Sequence, residues 1–360
     1  MKKNRLRVFI MAASIVLASA CKKSSDTPNA MANYNGGTGI FVNNEGEFMD
    51  GNSSISFINH SNNTVTTDVF SLVNGRPLGD VAQSMTIFNG IGYIVVNNSQ
   101  KVEVVTISDF KSVATITASN SISLKAPRYL LVVDSTKAYI SDWNDNNIKV
   151  LNLSTLEFTK TITTGTGPEL MTIINGNVYV ANCGGDYSDS TLTVINPSTD
   201  QVITTFKVGP NPTSVQVDAN NMLWVMCVNY YATNGYVGPS YLVKVNPATN
   251  TVVNSYAVPG NPERLAINKQ GNKLYYEGTG KGIFKFNITD TAATQTPFIT
   301  APNPAYIVYG VSVDPNNGNI YGAILPSYTT KGIVYRYDSS GNQLNNYEVG
   351  FYPDRCLFNY

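Results

Sequence analysis

The sequence predicts an all-β protein built as one seven-bladed β-propeller, and three observations support this fold class. A short strand-like segment, in most copies an aromatic residue followed by small or apolar ones, recurs at intervals of 40–53 residues. A proline opens the preceding strand in most of these repeats. No stretch has a convincing apolar period of 3.6 residues, so we expect few helices. Self-similarity at this spacing is typical of repeat architectures.

The landmarks can be followed along the whole chain. The recurring segments begin at Ile40, Tyr93, Tyr139, Tyr179, Trp224, Tyr275 and Tyr321. The prolines are Pro127, Pro168, Pro212, Pro262, Pro304 and Pro353, and Pro77 stands at the equivalent place in the remaining repeat. Within residues 212–258, turn residues separate four apolar segments of four to eight residues. Four short strands joined by turns make one propeller blade.

The two ends of the chain predict how the ring closes. The last repeat supplies only a first strand, residues 355–359, and then the sequence stops. Residues 40–43 form a second strand that lacks a first strand before it. Pairing these two segments would close the ring and leave no open sheet edge. We therefore predict a single domain over residues 37–360.

The N-terminus predicts export and a lipid anchor. Residues 1–20 contain a basic start and an apolar stretch from residue 8, which is shorter than the roughly 20 residues that span a bilayer. The segment Leu-Ala-Ser-Ala-Cys at 17–21 resembles the lipobox of bacterial lipoproteins, which predicts lipidation of Cys21. An ordinary signal peptide with a chance cysteine is the alternative. Residues 21–36 are predicted to be a flexible tether. Lys22 after the cysteine favours the outer membrane, with the cell surface expected and the periplasmic face left open.

Composition narrows the function. The net charge is zero and only 13 % of residues are charged, so no basic field attracts nucleic acid. The single histidine, His60, is predicted to be a solvated turn residue, which argues against most zinc, haem and triad chemistry. Cys183, Cys227 and Cys356 have no metal-ligand spacing and are predicted to be buried free thiols, with one disulfide as the alternative. No phosphate-binding loop or nucleophile elbow is present. We predict no enzyme activity, no cofactor and no metal site.

The one enzymatic alternative rests on four carboxylates near the first strands. They are Asp80, Glu169, Glu263 and Asp354. Converging on the channel, such groups could hold Ca²⁺ or another hard cation, as in a lactonase-type hydrolase. Arginines beside them favour ion pairing instead, and these are Arg128, Arg264 and Arg355.

One face of the ring is predicted to bind a ligand. Propeller connectivity places the connections between blades and those between second and third strands on the same face. The long insertions all occur there, at residues 44–52, 142–147, 182–190, 227–240 and 325–331. The candidate ligand-binding residues are Phe48, Arg76, Arg128, Trp143, Glu169, Tyr187, Tyr230, Tyr231, Tyr236, Arg264, Tyr306, Tyr328 and Arg355. Aromatic side chains offer large contact areas at low entropic cost, and guanidinium groups suit phosphate, carboxylate or amide groups. The alternative is that these aromatics only pack the loops together.

Several segments resemble known propellers. The sequences Tyr-Val-Ala-Asn at 179–182, Leu-Thr-Val-Ile-Asn at 192–196 and Val-Gly-Pro-Asn-Pro at 208–212 resemble the YVTN-repeat, or YncE-like, propellers. The likeness covers nearly all of residues 37–360 and is weakest after residue 278. Residues 75–85, with the lipobox, resemble a Bacteroidetes group of propeller lipoproteins whose domains have no assigned function.

The second resemblance carries an expectation about function. Some members of that group look like partners of TonB-dependent outer-membrane transporters that capture vitamin B12 or siderophores. The resemblance implies a non-enzymatic capture protein that hands such a nutrient to a transporter. A carbohydrate- or protein-adhesion module, a metal-dependent hydrolase and a structural surface-layer role remain open alternatives.

Overall fold

The computed structural model describes Tyr34 and residues 39–184, 188–232, 235–278 and 281–359. Within these ranges the chain forms seven four-stranded antiparallel sheets, arranged as the blades of a β-propeller. The predicted fold class is therefore confirmed. We number the blades from 1, which begins at Ala82, to 7, which joins both ends of the chain.

The four strands of each blade run from the central channel outwards. The innermost strands of blades 1 to 7 are Ala82–Phe88, Pro127–Val132, Pro168–Ile174, Pro212–Val217, Leu265–Ile267, Ile307–Val313 and Pro353–Phe358. The second strands are Ile91–Val96, Lys137–Asp142, Asn177–Asn182, Leu223–Cys227, Lys273–Gly278, Ile320–Leu325 and Gly39–Asn44. The third strands are Lys101–Thr106, Asn147–Asn152, Thr191–Asn196, Ser240–Asn246, Gly282–Asn287, Ile333–Tyr337 and Ser54–Asn59. The outermost strands are Ser112–Ile116, Glu157–Thr163, Gln201–Lys207, Thr251–Val258, Ile299–Thr300, Gln343–Glu348 and Thr64–Thr66.

Blade 7 closes the ring as predicted. Its second strand, Gly39–Asn44, pairs antiparallel with the innermost strand, Pro353–Phe358, at the other end of the chain. Ile40 stands opposite Phe358, and Val42 stands opposite Cys356. Among the described residues, Pro353–Phe358 has no other strand partner, and without this pairing the inner edge of Gly39–Asn44 would stay open.

The hydrophobic core lies between the blades. One cluster joins Ile174 and Tyr179 of blade 3 to Val215 and Leu223 of blade 4. Each blade is covered on both faces by its neighbours, so the second strands are buried along almost their whole length. Outermost strands such as Gln201–Lys207 are largely exposed.

The aromatic landmark of the repeat joins neighbouring blades. Tyr179 of blade 3 shares its hydroxyl hydrogen between Pro247 O and Asn250 Oδ1 of blade 4, at 2.9 and 2.8 Å. Tyr139 of blade 2 donates in the same way to Asp200 of blade 3. Asn250 and Asp200 both have a left-handed backbone, with φ of 54° and 53°, at the turn before the outermost strand. In these two blades the landmark tyrosine therefore links its blade to the outer turn of the next one by hydrogen bonds.

Three local features add detail that the sequence did not specify, and the first, a short helix, agrees with the expectation of few helices. A short helix, Val69–Asn74, follows blade 7; Asp68 accepts a hydrogen bond from Ser71 N at its start, and Gly75 ends it with a left-handed backbone. His60 lies in a turn, as predicted, but it is only partly exposed and stacks on Tyr321 with ring centroids 6.0 Å apart.

The third feature is Tyr34, which lies in the segment predicted to be a tether. It is buried, with its ring centroid 4.9 Å from that of Phe57, and its N–H donates to Ser108 O. The hydrophobic cluster of blades 7 and 1 therefore includes a residue that precedes the first strand.

Two short ribbons add to the blades. They are Ala118–Ser119 with Ile122–Ser123, and Tyr230–Ala232 with Gly235–Val237. Cys183, Cys227 and Cys356 are buried and form no disulfide among the described residues, which confirms the prediction of buried thiols. The Cys183 thiol lies 3.9 Å from Glu169 Oε1. In the described part of the chain, none of the helices has the length and apolar character needed to cross a membrane.

We expect Tyr179→Phe to lower the free energy of unfolding by about 1–2 kcal/mol, because it removes the hydroxyl hydrogen bonds to blade 4 and leaves the acceptors on Pro247 and Asn250 unpaired. Tyr275→Phe is the matched control: Tyr275 is equally buried, and its hydroxyl has no hydrogen-bond partner among the described residues. Urea denaturation of both variants measures the difference. Equal stability losses in the two variants would contradict a stabilising role for these hydrogen bonds between the blades.

Candidate functional site

A cavity of about 370 Å³ opens at the mouth of the channel on the face that carries the long loops. Four aromatic residues line it, and they are Phe48, Trp143, Tyr309 and Tyr352. Polar and charged side chains form its floor, and they are Glu45, Gln83, Asn97, Arg128, Glu263 and Arg264. We call this space the upper cavity.

Glu45 is the central carboxylate of the floor. It directly follows the second strand of blade 7 and is buried. Tyr309 donates to its Oε2 at 2.5 Å, and Gln83 Nε2 and Arg264 Nη2 donate to its Oε1 at 3.2 and 2.9 Å. Blades 1, 5 and 6 thus all supply a donor to one residue of blade 7.

Arg264 is surrounded by carboxylates. Besides Glu45, it pairs with Asp354 and, at 3.5 Å, with Glu263. Its guanidinium lies 4.6 Å from the ring centroid of Tyr309. Glu277 holds the backbone at this point, accepting from the N–H groups of residues 263 and 264 at 2.7 and 2.8 Å. The charge of Arg264 is therefore balanced within the protein.

Arg128 forms the second ion pair of the floor. It binds Glu169 through Nε and Nη2, at 3.0 and 2.8 Å, and it also donates to Gln83 Oε1. Its guanidinium lies over the ring of Trp143 at 3.8 Å, a close cation–π contact. Trp143 is therefore both a wall of the cavity and a cover for an ion pair.

The acidic residues pair with arginines, as the adjacent arginines in the sequence indicated. Glu169, Glu263 and Asp354 each contact a guanidinium. Asp80 lies apart and accepts from the backbone of Met49 and from Asn98. Within the described ranges, no group of three or more His, Cys, Asp or Glu side chains is arranged to hold a metal ion.

Burial shifts the protonation of the floor. It raises the pKa of Glu45 to about 7, against the opposing effect of the Arg264 guanidinium and with a further increase from the nearby Asp354 carboxylate. Burial also raises the pKa of Glu277 to about 7 and that of Glu169, although Arg128 opposes the latter. These groups exchange protons at higher pH than exposed carboxyls do.

The structure brings together six of the candidate residues at the channel. They are Phe48, Arg128, Trp143, Glu169, Arg264 and Arg355. Tyr328 lies at the rim, 62 % exposed, where its backbone oxygen accepts from Tyr352.

Other candidates lie elsewhere or outside the described residues. Arg76 pairs with Glu103 at 2.5 Å and stacks on Phe70, away from the channel. Tyr306 packs against the core cluster of blades 5 and 6. Tyr187 falls outside the described residues, and so do the side chains of Tyr230, Tyr231 and Tyr236.

Sequence reasoning missed Glu45, Gln83 and Tyr309. Glu45 meets Arg264 across 219 residues and Tyr309 across 264 residues, so no local pattern links them. The one available signal was position, because Glu45 lies at the start of the first long insertion, residues 44–52, on the predicted binding face. In a closed ring, that position adjoins the channel.

One known protein family matches nearly the whole propeller. The family model of the domain of unknown function DUF5074 matches residues 38–359. The chain belongs to this family. No curated protein matches the DUF5074 chain in sequence.

Solved structures resemble this DUF5074 propeller in fold. A quinonprotein alcohol dehydrogenase-like protein from Bacteroides thetaiotaomicron VPI-5482 has 15 % identity and a TM-score of 0.69, over 91 % of this chain and 79 % of that one. A hydrazine synthase from Kuenenia stuttgartiensis has 13 % identity and a TM-score of 0.59, over 69 % and 74 % of the chains. The structure of U3-55K has 8 % identity and a TM-score of 0.58, over 76 % and 83 %. At these identities the likeness shows the fold alone.

We expect the stability of the DUF5074 domain to fall as the pH rises from about 4.5 to 7. Because the pKa of Glu45 is raised in the folded protein, folding takes up a proton in this window. The resulting loss of stability is complete above the folded pKa. Glu45→Gln should flatten the profile by roughly 2–3 kcal/mol between pH 5 and pH 8. The pH dependence of stability that Glu277 contributes should remain in both the wild type and the variant. Urea denaturation across this range tests the expectation, and parallel profiles for the two proteins would refute it.

Proposed function

We propose that this protein is a non-enzymatic ligand-capture propeller, anchored to the outer membrane through Cys21, that passes a small nutrient to a TonB-dependent transporter. The observation that carries the capture role is the upper cavity, with four aromatic walls at the loop-bearing mouth. Concave sites with aromatic walls and a few placed polar groups are the usual form of small-molecule sites.

The state of the charged groups supports binding over catalysis. The carboxylates of Glu45 and Glu169 point at arginines and accept several hydrogen bonds each. A general acid or base needs a free path to the proton it transfers. These carboxylates instead hold the floor of the cavity rigid, which favours a preformed binding site.

The size of the cavity limits how a nutrient would sit. About 370 Å³ is near the lower end of the roughly 300–1,000 Å³ found for ligand pockets. A corrinoid or a ferric siderophore would therefore insert one edge between the aromatic walls and rest its remainder on the rim. Phe48 and Tyr328, which are 64 % and 62 % exposed, are available for that outer contact.

We expect Phe48→Ala to weaken ligand binding by about 1–3 kcal/mol, because it removes an exposed aromatic wall without disturbing the core. Met49→Ala is the matched control, since Met49 is the adjacent residue, is 76 % exposed and does not line the cavity. Calorimetric titration with cobalamin, ferric siderophores and common glycans measures both variants. The protein used begins at residue 33, so that Tyr34 keeps its place in the core.

Titration with this set of ligands distinguishes nutrient capture from adhesion. Binding of glycans alone would replace nutrient capture by an adhesion role on the same face. A folded protein that binds nothing in the panel, or that loses affinity equally in both variants, would contradict capture at the upper cavity.

The anchor has its own test. We expect Cys21→Ser to move the protein from the membrane fraction to the soluble fraction, because the acyl chains would lose their point of attachment. Ser24→Ala, three residues along the predicted tether, is the control and should leave the protein in the membrane fraction. Equal membrane fractions for the Cys21→Ser variant and the wild type would overturn lipidation at this residue.

A further inference from the structure

A second cavity, of about 240 Å³, opens at the opposite mouth of the channel. Its polar side chains include Gln216, Ser312 and Arg355, and its apolar ones include Leu170, Ile267 and Val313. We call this space the lower cavity. Most of it is lined by the far halves of innermost strands, which end on the face that carries the short turns.

The layer of ion pairs separates the two cavities. Arg264, held by Glu45 and Asp354, is the one residue that lines both of them. Between them the channel narrows to a pocket of about 30 Å³, room for one water molecule. The lower cavity shares Leu170, Arg264 and Arg355 with this narrow pocket, and its lining is otherwise distinct from that of the upper cavity.

Arg355 differs from the other two arginines of the channel. Arg128 pairs with Glu169, and Arg264 pairs with three carboxylates. Among the described residues Arg355 forms no ion pair and no hydrogen bond through its guanidinium, and its contact is the ring of Tyr129, at 5.3 Å. A partly buried guanidinium without an anion keeps its N–H donors available to a ligand.

The surroundings of Arg355 provide the rest of a site. Ser312 Oγ accepts from Cys356 N at 3.0 Å, which leaves the hydroxyl hydrogen of Ser312 available to a ligand. Leu170, Ile267 and Val313 provide the apolar part of the lining. The volume lies below the roughly 300 Å³ at which pockets for drug-sized ligands begin, so the ligand is small.

We propose that the lower cavity binds a small monocarboxylate with a short aliphatic or aromatic substituent. The Arg355 guanidinium holds the carboxylate through two parallel hydrogen bonds, and Ser312 donates a further one. The substituent packs on the apolar part of the lining. This site is independent of nutrient capture at the upper cavity, because the layer of ion pairs lies between them.

The test is a calorimetric titration of the protein from residue 33 onwards with benzoate and hexanoate. Their neutral amides, benzamide and hexanamide, are the matched ligands without charge. We expect the acids to bind at least tenfold more tightly than the amides, and Arg355→Gln to weaken acid binding at least tenfold. Phe48→Ala, which alters only the upper cavity, should leave acid binding unchanged.

Two further variants keep the proposal falsifiable if Arg355→Gln fails to fold. Arg355→Lys retains the charge without the planar pair of donors and should weaken binding several-fold. Ala266→Leu fills the lower cavity without changing any charge and should abolish binding. Absence of acid binding by the folded wild type would overturn the proposal. Acid binding that is equally tight in the Arg355 and Ala266 variants would also overturn it.

Discussion

The pairing of Gly39–Asn44 with Pro353–Phe358 is the contact on which the rest of the structure depends. A blade is buried only by its two neighbours, so an open ring would expose a face of the terminal blades to water. The cluster around Ile40, Val42, Tyr321 and Cys356 is built from both ends of the chain and from blade 6, and it exists only in the closed ring. Closure also carries Glu45, the residue after the pairing strand, to the mouth of the channel.

The channel follows from this closure. Seven innermost strands bring charged side chains from distant parts of the chain to one axis, where burial makes an unpaired charge costly. Arg264 forms ion pairs with Glu45 and Asp354, and the pair of Arg128 with Glu169 completes the layer. The same layer forms the floor of the upper cavity and isolates the lower one. Both proposed sites therefore border the ion pairs that neutralise buried charge in the channel.

Tyrosine has two distinct roles in this protein. Tyr139 and Tyr179 join blade 2 to blade 3 and blade 3 to blade 4 through hydrogen bonds to left-handed turn residues. Tyr309 and Tyr352 belong to the wall of the upper cavity. A phenol suits both roles because it has a large apolar face and one polar tip. Composition alone cannot separate them, since the role depends on whether the hydroxyl meets a neighbouring blade or the channel.

The sequence by itself determined the fold, the number of blades and the way the ring closes, because these depend on repeated local patterns and on two unpaired strands at the chain ends. It also indicated the arginines and carboxylates near the innermost strands, since strand positions in a repeat are periodic. Only the tertiary structure decided which of them meet: Glu45 with Arg264, Tyr309 with Glu45, and Arg355 with no carboxylate among the described residues. It also turned Arg76 and Tyr306 away from the channel. These outcomes depend on contacts between residues tens to hundreds of positions apart, and no local pattern in the chain encodes them.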